Sequence, residues 1–205
     1  FKFLHISTDE VYGSLKYNEK PFDEFSPIMP NNPYASSKAA CELILRSFSK
    51  TYGLPFFLTN CSNNYGKYQN KEKLIPTIIR NAILNKKIPI YGKGNNVRDW
   101  IYVDDHCDAI FKVLEKGKKF EKYNIGGYSE INNLDLTKKI CSILDKKYPR
   151  RNLYNSLITF VKDRPGHDFR YAIDAKKIKK LNWRPKISLN NGLNKIIDHY
   201  VKKYL

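Results

Sequence analysis

The chain has 205 residues, of which 41% are hydrophobic, 14% aromatic and 28% charged. This length can bury a substantial core without disulfides or metals, and the composition excludes wholesale disorder and fibrous structure. No apolar run approaches the roughly 18 residues that a membrane-spanning helix needs, so we expect no membrane partner.

The charge is strongly basic, with 37 Lys and Arg residues against 20 Asp and Glu residues and a net charge of +17. Such a surplus can indicate a surface that binds nucleic acid or another polyanion. Only 8 of these cations are Arg, however, and Lys, Asn and Ile are all abundant, as A/T-rich codon usage would produce. The lysines are spread over many predicted helices without a nucleic-acid-binding motif. We therefore expect no nucleic-acid partner.

The four cysteines and four histidines show no metal-binding or redox spacing. Without a CxxC pair, the cysteines are expected to be buried thiols in a reducing compartment, and we predict a cytoplasmic location and no metal. The cysteines are Cys41, Cys61, Cys107 and Cys141.

The first predicted element is a buried strand, Phe1 to Ile6, which ends in the polar run Ser7–Glu10. Phe1 already stands inside this strand, so we expect the chain to be part of a longer protein. After a long loop, Asn32 and Pro33 start a helix that continues to Thr51 and is closed by Gly53. A second buried strand, Pro55–Asn60, ends in a polar loop. This β-α-β order predicts an α/β fold.

The later elements continue the alternation of helices and strands. In chain order they are a helix at Leu74–Asn85, a strand at Ile88–Tyr91, an apolar run at Trp100–Val103, a helix at Asp104–Glu115, a strand and turn at Tyr123–Gly127, a helix at Leu134–Lys147, a strand at Ile158–Val161, and helices at Asp174–Leu181 and Leu189–Tyr204. Trp100 and Trp183 are expected to pack in the core.

Two groups of residues could carry chemistry. Asp9 and Glu10 place two carboxyl groups at the end of a buried strand, where both can reach one pocket only if the strand has already broken into a loop. Tyr34 and Lys38 are four apart on a helix and leave the same face, so the ammonium can lower the pKa of the phenol toward neutrality. Each group also has a structural explanation, a capped polar loop or a packed tyrosine.

Five motifs resemble, in order and spacing, those of the dTDP-glucose 4,6-dehydratases, which belong to the extended short-chain dehydrogenase/reductases. The resemblance runs from Phe1 nearly to Leu205. The motifs are Ser7–Gly13 (STDEVYG), Asn31–Lys38 (NNPYASSK), Asn60–Gly66 (NCSNNYG), Arg98–Asp105 (RDWIYVDD) and Asp163–Asp168 (DRPGHD).

The resemblance implies an NAD-dependent dehydration of dTDP-glucose to dTDP-4-keto-6-deoxyglucose: oxidation at C4, loss of water across C5 and C6, and reduction at C6. Tyr34 would take the O4 proton beside Lys38, and Thr8 would hydrogen-bond O4. Glu10 would abstract the C5 proton while Asp9 protonates the departing C6 hydroxyl. The cofactor NAD would be bound by Tyr34, Lys38 and Asn64.

The resemblance also implies a set of residues that bind the nucleotide-diphosphate hexose, dTDP-glucose being the expected one. Arg98 suits a diphosphate, because a guanidinium offers paired donors to phosphate oxygens; a surface Arg paired with Asp99 is the alternative. The set comprises Asn63, Lys73, Leu74, Pro89, Tyr91, Arg98, Asn133, Asp163 and His167.

One expected feature is missing: no glycine-rich fingerprint follows the first strand. Gly92–Val97 imitates its opening, but it lacks the third Gly and leads to Arg98 rather than to a helix, so we interpret it as a turn. We therefore expect the pyrophosphate-binding half to lie upstream of Phe1. The 205-residue chain alone should then be inactive and bind NAD weakly or not at all.

The chain would then contain the distal part of a Rossmann-type parallel sheet, residues 1–65 and 100–127. A smaller mixed α/β lobe that binds the nucleotide sugar would comprise residues 66–99 and 128–205. The parent protein is expected to be a homodimer through the helix that begins at Tyr34 and a second helix that would precede Phe1, so dimerisation is an expectation for the parent and not for this chain alone.

Alternatives remain open at this stage. The same fold could be a UDP-sugar 4,6-dehydratase or an epimerase. A non-catalytic nucleotide-sugar sensor and a basic nucleic-acid-binding module are the alternatives without catalysis.

Overall fold

The computed structural model describes residues 2–204; Phe1, the start of the first predicted strand, lies outside them. Within this range the strands are β1 (Phe3–Thr8), β2 (Phe56–Cys61), β3 (Asn63–Tyr65), β4 (Ile88–Tyr91), β5 (Val97–Tyr102), β6 (Glu121–Ile125), β7 (Glu130–Asn132) and β8 (Ile158–Val161). The α-helices are α1 (Pro33–Tyr52), α2 (Leu74–Ile83), α3 (Val103–Lys116), α4 (Asn133–Lys147), α5 (Lys176–Lys179) and α6 (Leu189–Tyr204).

The strands form three small sheets. The first has the order β1-β2-β6 and is parallel throughout. In the second, β5 pairs in parallel with β3 and antiparallel with β7, and the third is the parallel pair β4-β8. The predicted mixed α/β fold is therefore confirmed.

The first sheet brings three strand ends to one edge. Thr8 lies opposite Cys61, and Cys61 lies opposite Ile125, so β1, β2 and β6 all end at the same level. In open parallel α/β sheets, ligands bind at this carboxyl edge. The residues that follow β1 and β2 are the two polar runs that the sequence analysis selected.

Helix α1 starts and stops where its sequence signals predict. The side chain of Asn32 accepts a hydrogen bond from the amide of Ala35 at 2.9 Å, and Pro33 occupies the first helical position. Gly53 ends the helix in the left-handed conformation at φ 67°. These signals fix Tyr34 in the first turn of α1.

The core consists of separate hydrophobic clusters. The largest joins α2, α4 and α6 to β4 and β5, with Ile79, Ile140 and Ile197 fully buried. A second lies between β2, β6 and α3 and contains Trp183, while Trp100 belongs to the first. Both tryptophans are core residues, as predicted. The proposed division into two domains stays a prediction.

The structure corrects several predicted elements. Asn63–Tyr65, expected within a polar loop, forms β3, and the helix expected at Asp174–Leu181 is limited to Lys176–Lys179. Short strands such as β3 and β7 owe their pairing to neighbouring strands rather than to their own sequence. Gly92 and Gly94 do form a turn, with φ values of 56° and 73°.

Two of the four cysteines are exposed, contrary to the expectation that all four are buried. Cys41 on α1 and Cys107 on α3 are exposed free thiols, because both lie on the outward faces of their helices. Cys61 is half-buried and Cys141 is buried. Among residues 2–204, no helix combines the length and the apolar character needed to cross a bilayer.

The turn after β6 gives a stability prediction. A Cβ on Gly127 would collide with the backbone oxygen of Trp100, while the Gly127 amide donates to Asp99 at 2.7 Å. Gly127→Ala should therefore destabilise the fold by about 3 kcal/mol. Gly53→Ala is the control, because nothing lies within 4 Å of its added Cβ and only its left-handed backbone opposes the change, at about 1 kcal/mol. Urea unfolding should separate the two; equal losses would contradict the collision.

Candidate active site

The turn after β1 positions the two carboxyl groups. β1 ends at Thr8, and a 3₁₀ helix begins at Asp9 and ends at Tyr12. Thr8 caps this helix, since its hydroxyl accepts from the Glu10 amide at 3.3 Å and donates to an Asp9 carboxyl oxygen at 3.3 Å. The strand has thus broken where the two carboxyl groups occur, which lets both face the same side.

Asp9 is an almost completely buried acid, with 3% of its surface exposed. Burial raises its pKa to about 8, and the nearby charges of Glu10 and Asp99 add to that shift, while Arg98 and the Thr8 hydroxyl oppose it. Its Oδ2 atom has no hydrogen-bond partner among residues 2–204. Asp9 therefore holds its proton at neutral pH, as a general acid requires.

Glu10 lies beside Asp9 in a different environment. It is only half-buried, and its Oε2 atom accepts from the Asn32 amide at 3.3 Å and lies 3.4 Å from the Tyr171 hydroxyl. Two polar groups thus flank one oxygen of the Glu10 carboxyl. Adjacent carboxyl groups in unlike surroundings are the usual basis for separate acid and base roles.

Tyr34 reaches the same region from α1, and 55% of its surface is exposed. The sequence predicted that Lys38 lowers the pKa of its phenol, and this is wrong for the described chain. The pKa of Tyr34 is raised, first by partial burial and then by Glu10, the Cys61 thiol and Asp9. Lys38 instead donates to the carbonyl of Ile6 at 2.6 Å, which directs its ammonium to the edge of β1.

Asn63 and Asn64, on β3 just after β2, add side-chain oxygens that can accept hydrogen bonds from a ligand. Asn64 donates to the Cys61 sulfur at 3.3 Å and to the Ser62 carbonyl at 3.2 Å. The side-chain oxygens of Asn63 and Asn64 are buried and have no hydrogen-bond partner within the described range. These oxygens could accept hydrogen bonds from hydroxyl or amide groups of a ligand.

Arg98 is buried rather than on the surface, with 5% exposure. Its guanidinium donates to the carbonyls of Val97 at 2.7 Å, Phe169 at 3.3 Å and Asp168 at 2.9 Å. Asp99 points elsewhere, accepting from backbone amides of the turn after β6. The alternative of a surface Arg98–Asp99 pair is therefore wrong. Burial lowers the pKa of Arg98.

Three predicted sugar-nucleotide residues meet near the ends of β4 and β8. His167 Nδ1 lies 2.7 Å from the Asp163 carboxylate, and the Tyr91 ring stands edge-on to the imidazole with centroids 6.5 Å apart. Arg98 and Arg164 are close enough to lower the pKa of His167, although burial is the larger cause. The guanidinium groups of Arg98 and Arg164 suit an anionic ligand.

The other predicted binding residues are placed as follows. Pro89 lies on β4 beside β8, and Asn133 starts α4 with a buried amide oxygen that has no hydrogen-bond partner in the part of the chain that the structure describes. Lys73 and Leu74 begin α2, where Lys73 is exposed and Leu74 packs against the core. Within residues 2–204, no hydrogen bond or ion pair joins Lys73 or Leu74 to the other candidates.

Sequence reasoning missed the residues that surround Glu10. Asn32 was recognised only as a helix cap, and Asn31 and Asp168 only as members of motifs. Tyr171 had no signal at all, because its partner Glu10 is 161 residues away along the chain. Arg164 was quoted within a motif without a role. Among residues 2–204, no group of three or more His, Cys, Asp or Glu side chains could hold a metal ion.

Comparison with known proteins agrees with this geometry. The family model described as GDP-mannose 4,6 dehydratase matches residues 1–196. A probable dTDP-glucose 4,6-dehydratase from Sinorhizobium fredii is 49% identical over 203 residues, covering 98% of this chain and 58% of the relative.

Solved structures show the same likeness. A dTDP-glucose 4,6-dehydratase from Bacillus anthracis in complex with NAD has a TM-score of 0.90 and 46% identity, covering 98% of this chain and 62% of that protein. A UDP-glucuronic acid 4-epimerase from Bacillus cereus in complex with UDP-glucuronic acid and NAD has a TM-score of 0.87 and 28% identity, covering 100% and 62%. The chain thus spans about three fifths of the length of these proteins.

The parallel sheet with its polar carboxyl edge defines an α/β protein of the Rossmann type. More narrowly, the match over residues 1–196 shows that the chain belongs to the GDP-mannose 4,6 dehydratase family.

The burial of Asp9 gives a prediction about stability and pH. Because its pKa is about 8 in the folded state and 3.8 is the ordinary value, the folded state holds a proton that the unfolded state has lost between these values. The free energy of unfolding should therefore fall as pH rises from about 4 to about 8. Asp9→Asn lacks this decline and should be more stable than the native protein at pH 8, by an amount on the order of a few kcal/mol.

Urea unfolding of both proteins across this pH range measures the difference. The advantage of Asp9→Asn should shrink as pH is lowered and vanish near pH 4. A constant difference, or one that grows toward low pH, would show that Asp9 is ionised in the folded protein.

Proposed function

We propose that the chain carries the catalytic side chains of a dTDP-glucose 4,6-dehydratase. The observation that supports this most is the pair of consecutive carboxyl groups after β1, one buried and holding its proton, the other hydrogen-bonded and more accessible. Removal of water from a sugar needs one group that accepts a proton and one that donates a proton. The proposal extends to the NAD cofactor and to the substrate dTDP-glucose.

Asp9 would supply the acid and Glu10 the base. Once C4 of the hexose is a ketone, the C5 proton is acidic, and Glu10 would remove it. The buried Asp9 would give its proton to the C6 hydroxyl as the bond from C6 to oxygen breaks. A carboxylic acid that stays neutral at pH 7 is suited to this step, and burial is the physical reason why Asp9 can do so.

The residues at the carboxyl edge fit a nicotinamide and its ribose. The unpartnered oxygen of Asn64 can accept from an amide or hydroxyl, and Lys38 and the exposed Tyr34 lie at the same edge. When bound, NAD would accept a hydride from C4 and return it to C6. Tyr34 would receive the O4 proton, a role that requires the occupied site to lower the pKa of its phenol, which the described chain raises. Lys38 would orient the ribose, and Thr8 would hydrogen-bond O4.

The cationic group around Arg98 would bind the diphosphate of the substrate. Arg98, Arg164 and His167 interact electrostatically, and backbone carbonyls fix the direction of the Arg98 guanidinium. A planar guanidinium can pair two phosphate oxygens at once. The remaining nucleotide-sugar contacts would come from Asn63, Lys73, Leu74, Pro89, Tyr91, Asn133 and Asp163.

An epimerase is the second candidate, because an epimerase of 28% identity has a similar structure. Exchange of configuration at C4 requires removal and return of a hydride and of the O4 proton but no loss of water, so it needs no further acid and base for C5 and C6. The paired carboxyl groups Asp9 and Glu10 therefore favour dehydration. A UDP-sugar 4,6-dehydratase would share the pair and differ only in the base that it recognises.

We further propose that a second copy of the chain packs against α1. This helix exposes apolar side chains along its length: Leu43 and Ile44 at 56%, Phe48 at 50% and Tyr52 at 75%. Such a stripe on a soluble helix is typical of an interface, and a symmetric dimer is the commonest arrangement. A cytoplasmic location is proposed as well, because the exposed free thiols Cys41 and Cys107 suit a reducing compartment.

Glu10→Gln tests the catalytic proposal in the intact gene product. The amide keeps the shape of the side chain but cannot accept the C5 proton, so turnover of dTDP-glucose with NAD should fall at least about 100-fold. The 4-keto product is measured by its absorbance after alkali treatment, and dTDP binding is measured by calorimetry.

Glu115→Gln on the distant face of α3 is the control and should keep native turnover. The proposal predicts that Glu10→Gln loses turnover while dTDP binding is retained. Full dehydratase activity in Glu10→Gln, or C4 epimerisation without the alkali absorbance in the native protein, would contradict the proposal.

Phe48→Glu in the intact gene product tests the dimer. A charge in the centre of a buried apolar interface should convert the dimer to a monomer in sedimentation equilibrium, because the carboxylate would lose its hydration. Phe111→Glu, on α3 and 65% exposed, is the matched control and should leave the mass unchanged. A native protein that sediments as a monomer, or a Phe48→Glu variant that remains dimeric, would contradict this interface.

A further inference from the structure

Tyr171 connects the proposed base to a second buried carboxylate. Its hydroxyl lies 3.4 Å from Glu10 Oε2 and makes a short hydrogen bond with Asp168 Oδ2. Tyr171 and Asp168 are only 4% and 6% exposed. A buried tyrosine that faces two carboxyl groups at once is unusual for a residue that only fills space.

The two contacts cannot both be donated by Tyr171, because a phenolic hydroxyl has one proton and further capacity only as an acceptor. If Glu10 is ionised, the Tyr171 proton can turn toward Glu10. If Glu10 has taken up a proton, Glu10 can donate to the Tyr171 oxygen while the Tyr171 proton points at Asp168. All three groups are therefore paired when Glu10 is protonated, whereas turning the Tyr171 proton to an ionised Glu10 gives up the short hydrogen bond to Asp168.

Hydrogen bonds to both its side chain and its backbone hold Asp168 in position beside Tyr171. Its Oδ1 atom accepts from the Asn31 amide at 2.7 Å, and its backbone carbonyl accepts from Arg98 at 2.9 Å. The Arg98 guanidinium lies 4.2 Å above the centre of the Tyr171 ring, which is a favourable cation–π contact. Arg98 thus contacts both the ring of Tyr171 and the backbone of Asp168, the residue that accepts from the Tyr171 hydroxyl.

We propose that Tyr171 is a positioning residue whose hydroxyl turns between Asp168 and Glu10 as Glu10 gains and loses the C5 proton. This inference rests on the proposed function, since it assigns Glu10 as the base. In the step concerned, the bond from C5 to hydrogen breaks, the proton moves to a Glu10 oxygen, and the electron pair passes into the enolate of the C4 ketone. The Tyr171 proton changes direction but stays on Tyr171.

The proposal assigns different roles to the hydroxyl and to the ring of Tyr171, and a substitution can remove one and keep the other. Tyr171→Phe removes both carboxyl contacts but keeps the ring beneath Arg98, so the diphosphate site should be preserved. The chain contains a matched control: Tyr154 is 7% exposed, lies 4.3 Å below the guanidinium of Arg150, and donates through its hydroxyl to the Tyr148 carbonyl at 3.0 Å. Tyr154→Phe therefore removes an equivalent hydroxyl from an equivalent stack that has no role in the site.

The experiment follows the C5 proton directly. The intact gene product with NAD is incubated with dTDP-4-keto-6-deoxyglucose in D₂O, and NMR measures the exchange of the C5 hydrogen for deuterium. A hydrogen bond to a charged group corresponds to about a ten- to hundredfold effect, so Tyr171→Phe should slow the exchange by that factor. Its dTDP affinity and the KM for dTDP-glucose should stay native, with the loss confined to kcat.

Tyr154→Phe should exchange C5 at the native rate. Native exchange in Tyr171→Phe would overturn the proposal. So would a slowing matched by an equal loss of dTDP affinity, since Tyr171 would then act through the diphosphate site.

Asp168→Asn provides a second variant if Tyr171→Phe does not fold. The Asn31 amide donates to the new side-chain oxygen, so the new NH₂ group faces Tyr171. This NH₂ group donates to the Tyr171 oxygen, and the Tyr171 proton is then directed permanently at Glu10. Exchange should then slow about tenfold, and a native rate would contradict the proposal.

Glu10→Gln distinguishes failure of this inference from failure of the proposed function. If Glu10→Gln abolishes exchange while Tyr171→Phe leaves it native, the base is confirmed and only the role of Tyr171 is wrong. If Glu10→Gln exchanges at the native rate, Glu10 is not the base and both proposals fail.

Discussion

Two consecutive carboxyl groups must be accommodated where β1 ends and the chain turns. A continued strand would send them to opposite faces, but the 3₁₀ helix that Thr8 caps turns both toward the carboxyl edge of the sheet. The two carboxyl groups then differ in how deeply they are buried. Asp9 is buried, lacks a partner for one oxygen among residues 2–204 and keeps its proton, whereas Glu10 remains accessible and accepts from Asn32. The division between acid and base follows from this difference in burial.

A single buried guanidinium balances much of the negative charge around this turn. Arg98 interacts electrostatically with Asp9 and Glu10 and stacks on Tyr171, although its own hydrogen bonds go to backbone carbonyls. Because its hydrogen-bond acceptors are neutral carbonyls, the positive charge of the guanidinium is not neutralised by them. Arg98 can therefore influence the carboxyl groups and still attract a diphosphate. This links the proposed binding and catalytic regions through one residue.

The sequence predicts the long elements of this fold well, because burial periodicity and caps are local properties. Asn32, Pro33 and Gly53 are sufficient to bound α1, and the polar run after β1 already indicates a site. β3 and β7 are missed because three residues are too few for a periodic pattern, and their pairing with β5 is decided by the tertiary fold.

The same distinction applies to the site. Asp9 and Glu10 are neighbours in sequence, so their proximity can be predicted, whereas Tyr171 joins them from 161 residues away. The direction of the Tyr34 pKa also depends on distant groups: the spacing to Lys38 is local, but the opposing effects of burial and of Glu10 are visible only in the folded chain. Sequence patterns therefore find groups that share an element, and the fold decides which of them act on one another.

The central claim is that Asp9 is a protonated acid in the folded protein at neutral pH. Isotope-edited infrared spectroscopy with ¹³C-labelled aspartate carboxyl groups measures this directly, and Asp9→Asn identifies the band that belongs to Asp9. The account predicts a protonated carboxyl band at pH 6 and pH 7 that converts to carboxylate at about pH 8. An Asp9 band that is already that of a carboxylate at pH 6 would contradict it.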